Sequence, residues 1–231
     1  MKGKRFIGLV LVLLLFVVPS AFANGITMAD LLKPGAFLLV GDKKFYNFAD
    51  YSSISTGANA SPISPADIVV VPLITTINGI PEWGLRFQSA LYFAGTRSTQ
   101  DTTFLYTVAT VGGGALIIDN VLRVGGYGTT GNGFARIGET VSDETGVVIA
   151  NKLVGDIGGG QIITIDIKNF APQDILIISK DIALAGLDGS AFISEVDQLY
   201  SQKVPEPISL ILLGSGLAGA GLYRRLRKPK G

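Results

Sequence analysis

Apolar side chains recur at every second position along much of this chain, in short runs that stop at glycine. Only an extended strand places residues i, i+2 and i+4 on one face, and that face must be buried against a second sheet. In residues 85–93 the odd positions read Leu, Phe, Ser, Leu and Phe. Runs of the same character cover residues 36–40, 68–75, 104–111, 115–124, 134–141, 147–154, 161–167, 174–184 and 190–199. Short strands at this spacing, parted by turn residues, predict an all-β fold, a single jelly-roll-like β-sandwich spanning residues 24–203. Phe192, Val196 and Tyr200 fit one face of the last strand. Pro72 lacks an N–H to donate, which sends its run to a sheet edge or a bulge. The glycine clusters at 112–114, 125–126, 128–133 and 158–160 are expected to reverse the chain, since glycine adopts positive φ freely. One helical turn is expected over residues 27–32, capped by Thr27 and stopped by Pro34.

The two ends are built differently. Lys2, Lys4 and Arg5 precede thirteen residues without a polar side chain, Phe6 to Val18. Pro19 and Ser20 follow, and then Ala21-Phe22-Ala23. Small residues at the first and third positions before a cut suit a signal peptidase, so residues 1–23 are expected to be a signal peptide cleaved after Ala23. As a helix the apolar run reaches only ~20 Å, short of the ~30 Å hydrocarbon layer of a bilayer. At the other end, Val204-Pro205-Glu206-Pro207 leads into sixteen largely apolar residues, 208–223. Arg224, Arg225, Arg227, Lys228 and Lys230 come next. Residues 208–223 are expected to form a transmembrane helix, with the basic stub 224–231 held in the cytoplasm as a stop. The prolines around Glu206 make a stiff, extended segment that a protease reads through its backbone and one carboxylate.

Val-Pro-Glu-Pro, a glycine-rich apolar segment carrying Gly214, Gly216, Gly219 and Gly221, and an arginine cluster together resemble the PEP-CTERM sorting signal. The resemblance covers residues 204–231. It implies that Pro205, Glu206 and Pro207 form the recognition motif and that a membrane-embedded exosortase is the partner. It also implies transient anchoring in the inner membrane of a Gram-negative bacterium that makes extracellular polysaccharide, then transfer to the outer surface or matrix. Residues 41–48 and 178–181 resemble segments of β-rich proteins that bear this tail, which supports the sandwich and no particular activity.

Composition narrows the chemistry. With three basic residues in the leader, five in the tail and Glu206 set aside, 11 basic and 17 acidic residues remain, so residues 24–203 carry about −6. Nucleic-acid binding rests on clustered Lys and Arg, and is not expected. The chain holds no Cys and no His. Disulfides, thiolate nucleophiles, the Ser-His-Asp triad and nearly all zinc sites are thereby excluded. No phosphate-cradling glycine loop, Ser-x-x-Lys pair or EF-hand loop occurs, and no cofactor or catalytic residue is assigned.

Three features keep other functions in view. Asp42 and Asp143-Glu144 sit beside turns, where carboxylates are most often simply solvated and no metal is assigned. Trp83 with Tyr46, Tyr51, Tyr92, Tyr106 and Tyr127 would make a sugar-stacking face, although aromatics in alternating strands chiefly pack the core. Asn59-Ala60-Ser61 marks a surface loop. The expectation is a non-enzymatic exported surface or matrix protein associated with exopolysaccharide. The alternatives are a carbohydrate-binding module and a glycan-active enzyme using an acidic pair.

Overall fold

The computed structural model describes residues 25–112, 115–156 and 161–203. Alternation turns into burial strand by strand. On β7 (Thr99–Thr110), Gln100, Thr102, Phe104, Tyr106 and Val108 are buried, while Asp101, Thr103 and Leu105 are more open. On β13 (Ile175–Ala185), Leu176, Ile178, Lys180, Ile182 and Leu184 are buried. These two strands pair antiparallel without a break from Ile175↔Ala109 to Ala185↔Thr99.

Around that pair, one sheet runs β11 (Ile162–Ile163), β10 (Val148–Asp156), β9 (Phe134–Asp143), β13, β7, β3 (Lys43–Thr56) and β2 (Phe37–Val40). The other runs β1 (Ile26–Thr27), β4 (Val69–Ile77), β5 (Ile80–Gln88), β14 (Ser190–Tyr200), β8 (Leu116–Thr130) and β12 (Ile165–Gln173). Two short strands join its flanks, β6 (Phe93–Ala94) on β14 and β15 (Gln202–Lys203) on β8. The sheets face each other across an aromatic core, making the all-β sandwich that alternation predicts. Phe87 and Phe104 lie 5.0 Å apart between ring centroids, Phe48 and Tyr106 5.2 Å, and the Tyr106 and Tyr200 hydroxyls are 3.0 Å apart. Thr27 caps a four-residue helix, Met28–Leu31, its hydroxyl accepting from Asp30 N at 3.2 Å. Pro72 lies opposite Leu85, past the two residues that β1 covers, so β4 is an edge there, as its missing N–H demands.

Several elements depart from the sequence pattern, each for a visible reason. β3 is the longest omission from the expected strands. Asn47 (φ 53°) and Asp50 (φ 51°) are bulges that shift register against β7, so Phe45, Phe48 and Tyr51, three apart, all turn toward the core. The glycines at 125, 126 and 128 do not reverse the chain but lie inside β8. A Cβ on Gly128 would sit 2.4 Å from the Phe192 ring, and one on Gly125 2.3 Å from the Glu195 carboxylate, so these glycines admit neighbouring side chains. The chain instead turns at Gly131–Gly133, where Gly133 N donates to Thr130 O at 3.0 Å.

The expected run 85–93 breaks after Gln88, and Tyr92 is buried while Leu91 is 49% exposed. Residues 161–167 divide between β11 and β12. On β14 the inward parity changes at Ser194, opposite Gly126 with φ +55°. Ala191 and Ile193 point inward before that site, Val196 and Tyr200 after it, and Phe192 lies on the outer face rather than on theirs. The Asn78-Gly79 pair, with φ of 51° and 83°, closes the two-residue hairpin between β4 and β5.

Candidate functional site

The outer face of the β6–β14–β8 sheet carries the molecule's most distinctive surface. Phe93 and Phe192 are registered opposite each other on β6 and β14, and each is 43% exposed. Large aromatics at that exposure give up a sizeable hydrophobic contribution to folding, and they are the kind of group that stacks on a sugar ring or a partner surface. A cavity of about 400 Å³ opens beside Phe93, lined also by Asn59, Ser61, Pro62 and Leu91. A second, of about 550 Å³, shares Asn59 and Phe93 and continues past Thr96, Thr130, Asp188 and Ser190. The two meet at Asn59 and Phe93 to make one groove, and Phe192 lies outside its lining, over Gly128.

Polar groups on its walls are held in place. Asp188 accepts from Asn132 N at 2.6 Å and Asn132 Nδ2 at 2.7 Å. The Asn59 side chain donates to Thr96 O at 3.1 Å, and Thr96 donates to Gly189 O at 3.1 Å. Close backbone approach shapes the floor, because a Cβ on Gly189 would stand 1.8 Å from Thr130 O and one on Gly186 1.9 Å from Gly95 O. At the rim, Arg97 (φ 58°) and Leu187 (φ 34°) hold left-handed backbone, with Arg97 N donating to Leu187 O at 2.7 Å. Such conformations cost of order 1–3 kcal/mol each and gather at binding sites.

Next to the aromatics on the same face lies a charge ladder. Asp197 is buried, yet its carboxylate accepts from Arg86 Nε at 2.6 Å, Arg86 Nη2 at 3.0 Å and Arg123 Nε at 2.9 Å. Arg86 also meets Glu195 at 3.0 Å. The Asp197 hydrogen bond holds the Arg86 guanidinium firmly protonated.

The residues singled out from the sequence are distributed differently. Tyr92 and Tyr106 are fully buried core residues. Tyr51 donates its hydroxyl to Ile63 O at 2.6 Å, and burial pushes it up to about 12. Trp83 packs on Gly41 and beneath Lys43 Nζ, 5.4 Å from its ring, and Tyr127 packs against the core. Tyr46 lies on β3, in the opposite sheet. These six therefore form no common platform; the exposed aromatic surface is phenylalanine.

Asp143 accepts from Thr145 N and Val147 N, closing its own turn, and Asp42 pairs with Lys43. Among the described residues no group of three acidic side chains is placed to hold a metal. Asn59-Ala60-Ser61 is a surface loop, on the groove wall. Asp101 and Asp181 approach each other on the outer face of β7 and β13, and burial together with the Asp101 carboxyl raises Asp181. The groove itself is lined by one carboxylate, Asp188. Phe93 and Phe192 were legible only as alternating core residues, because nothing local marks the end of β5 or the parity change at Ser194.

Ala21, Ala23, Pro205, Glu206, Pro207, Arg224, Arg225 and Arg227 lie outside the described residues, as do the leader and the expected membrane helix 208–223. Among the described residues no helix is long and apolar enough to cross a membrane. A family model described as the PEP-CTERM protein-sorting motif matches residues 203–228. The chain carries a PEP-CTERM sorting motif. That motif implies an exported protein handled by an exosortase at a membrane.

No curated protein matches this chain. Among solved structures it is similar to the enzymatically active domain of bacteriophage CBA120 tailspike protein 4, with 10% identity and a TM-score of 0.29. That match covers 65% of this chain and 19% of the tailspike domain, so the chain spans about a fifth of that protein's length. It is also similar to TmCBM61, solved in complex with β-1,4-galactotriose, at 12% identity and a TM-score of 0.29, covering 65% of this chain and 88% of that one.

Proposed function

We propose that this protein is a non-enzymatic component of the bacterial surface or extracellular matrix, sorted through Pro205-Glu206-Pro207 by an exosortase and associated with exopolysaccharide. The observation that carries this reading is the sorting motif at residues 203–228. In this reading a jelly-roll-like sandwich is flanked by a signal peptide ending at Ala23 and by a transmembrane helix over 208–223. The helix anchors the chain transiently in the inner membrane of a Gram-negative cell, with Arg224, Arg225 and Arg227 inside. The single carboxylate along the groove supports a binding role over glycoside hydrolysis, which uses two. Mass spectrometry of the surface form should find an N-terminus at Asn24 and nothing beyond about Pro207. Glu206→Ala should leave export intact and retain the protein in the inner membrane. Surface protein that still carries residues 224–231 would refute the sorting assignment.

A second reading, a carbohydrate-binding module, is favoured by Phe93 and Phe192. Half-exposed Phe93, in a groove walled by Asn59, Thr96 and Asp188 and registered opposite Phe192, offers stacking surface and hydrogen-bonding groups together.

A further inference from the structure

The core between the sheets is not purely apolar. β13, β9 and β10 are neighbours, and register places Lys180 opposite Glu139 and Glu139 opposite Lys152. All three point inward and are at most 4% exposed. Lys180 Nζ donates to Glu139 Oε2, and Lys152 Nζ lies 3.0 Å from Glu139 Oε1. From the facing sheet comes Gln198 on β14, fully buried, whose side-chain carbonyl accepts from the same Lys180 Nζ. Its amide nitrogen donates to Val121 O at 3.1 Å, which fixes the plane of the carboxamide.

Buried charge is costly unless balanced, and here two amines share one carboxylate. With both lysines protonated the row would hold a positive charge that Asp166 and Asp197 offset only from a distance. Burial lowers Lys180 and brings Lys152 to about 8. For Glu139, burial pushes upward, but Lys152 and Lys180 outweigh it and the carboxyl is lowered. Burial thus favours the neutral form of both amines, and a neutral, desolvated lysine amine is a nucleophile.

We propose that Lys180 and Gln198 join in an intramolecular isopeptide bond, formed by the protein itself with Glu139 as the proton carrier. Lys180 Nζ gives a proton to Glu139 and attacks Gln198 Cδ, which its hydrogen bond already holds close. The Nζ–Cδ bond forms, and the Cδ–Nε2 bond breaks. Glu139 takes two protons in turn from Nζ and delivers them to Nε2, which departs as ammonium. Glu139 returns to carboxylate, and no oxidant, metal or cofactor enters the balance. Lys152 steadies Glu139 from the other side. Three conditions help an unactivated amide react: reacting groups held in contact, an acid–base group on the attacking amine, and water kept out. The buried row meets all three. The product clamps the two sheets together through a covalent link, in a chain that has no cysteine for disulfides.

Trypsin reads this directly, because it does not cut after an acylated lysine. The full chain, purified in detergent after expression with both ends intact, would be digested and its peptides weighed. An unlinked protein yields residues 169–180 and 181–203 as separate peptides. The linked protein yields one peptide, 169–203, lighter by one ammonia and without backbone fragments between Lys180 and Gln198. Glu139→Gln should restore the two separate peptides. Two separate peptides of unaltered mass from the wild-type protein would overturn the proposal, and no variant needs to fold for that result. Lys180 joined instead to the peptide bearing Glu139, with loss of water, would overturn Gln198 as the acceptor.

Discussion

Glu82 gives the sharpest test of how this core handles charge. It sits on β5 beside Trp83, 2% exposed, and burial with the nearby Asp119 carboxylate pushes its pKa from 4.5 to about 8. Lys152 and Lys43 pull it back only in part. Below pH 4.5 both the folded and unfolded chains hold this proton. Between 4.5 and about 8 the unfolded chain has lost it and the folded chain keeps it, so stability falls as pH rises through that window. Each pH unit is worth at most ~1.4 kcal/mol, so the full penalty above pH 8 is about 5 kcal/mol as an upper bound, and roughly 2–4 kcal/mol once the site relaxes.

Lys152 acts in the next window. Its pKa falls from 10.5 to about 8, so the folded chain sheds a proton that the unfolded chain retains, and stability climbs again above pH 8. Urea unfolding of residues 24–203 from pH 4 to 10 should show a minimum near pH 8. Glu82→Gln should match wild type near pH 4, exceed it by about 2–4 kcal/mol above pH 8, and keep the alkaline rise. A difference between Glu82→Gln and wild type that stays flat from pH 4 to 9 would refute the account.

Two further outcomes separate the structure from the bare alternation of the sequence. Phe87→Ala should cost about 3–5 kcal/mol in the same unfolding measurement, whereas Leu91→Ala, two alternating steps along the chain, should cost under about 1 kcal/mol because Leu91 is half exposed. On a glycan array, any binding by the domain should be lost in Phe93→Ala with the fold retained, and should survive Trp83→Ala. Binding that depends on Trp83 instead would remove the groove from consideration.

Strand content and sorting were both legible in the linear chain. Period-two alternation is a property of neighbours in sequence, so β7 and β13 could be read without knowing what they pack against. The Pro-Glu-Pro segment with its apolar and basic followers is likewise a linear signal, matched by the sorting-motif model at residues 203–228. Asn47 and Asp50 show where such reading ends. Their bulges are stabilised by pairing with β7, and they turn a three-residue spacing into one buried face. Glycine was ambiguous in the same way: at Gly131 it turns the chain, while at Gly128 it makes room for a ring more than sixty residues away.

By itself, then, the sequence determined that the chain forms strands, that its exported part has neither disulfides nor histidine chemistry, and that its tail is a sorting signal. Each follows from residue types or spacings that need no partner. Only the tertiary structure decided that Phe93 and Phe192 lie in the open, that Tyr92 and Tyr106 do not, and that Lys180, Glu139, Lys152 and Gln198 meet in one dry row. Which face of a strand is buried, and which distant side chain arrives there, depends on register and kinks set by strands far away in the chain. A lysine reads as a solvated charge until the opposite sheet closes over it.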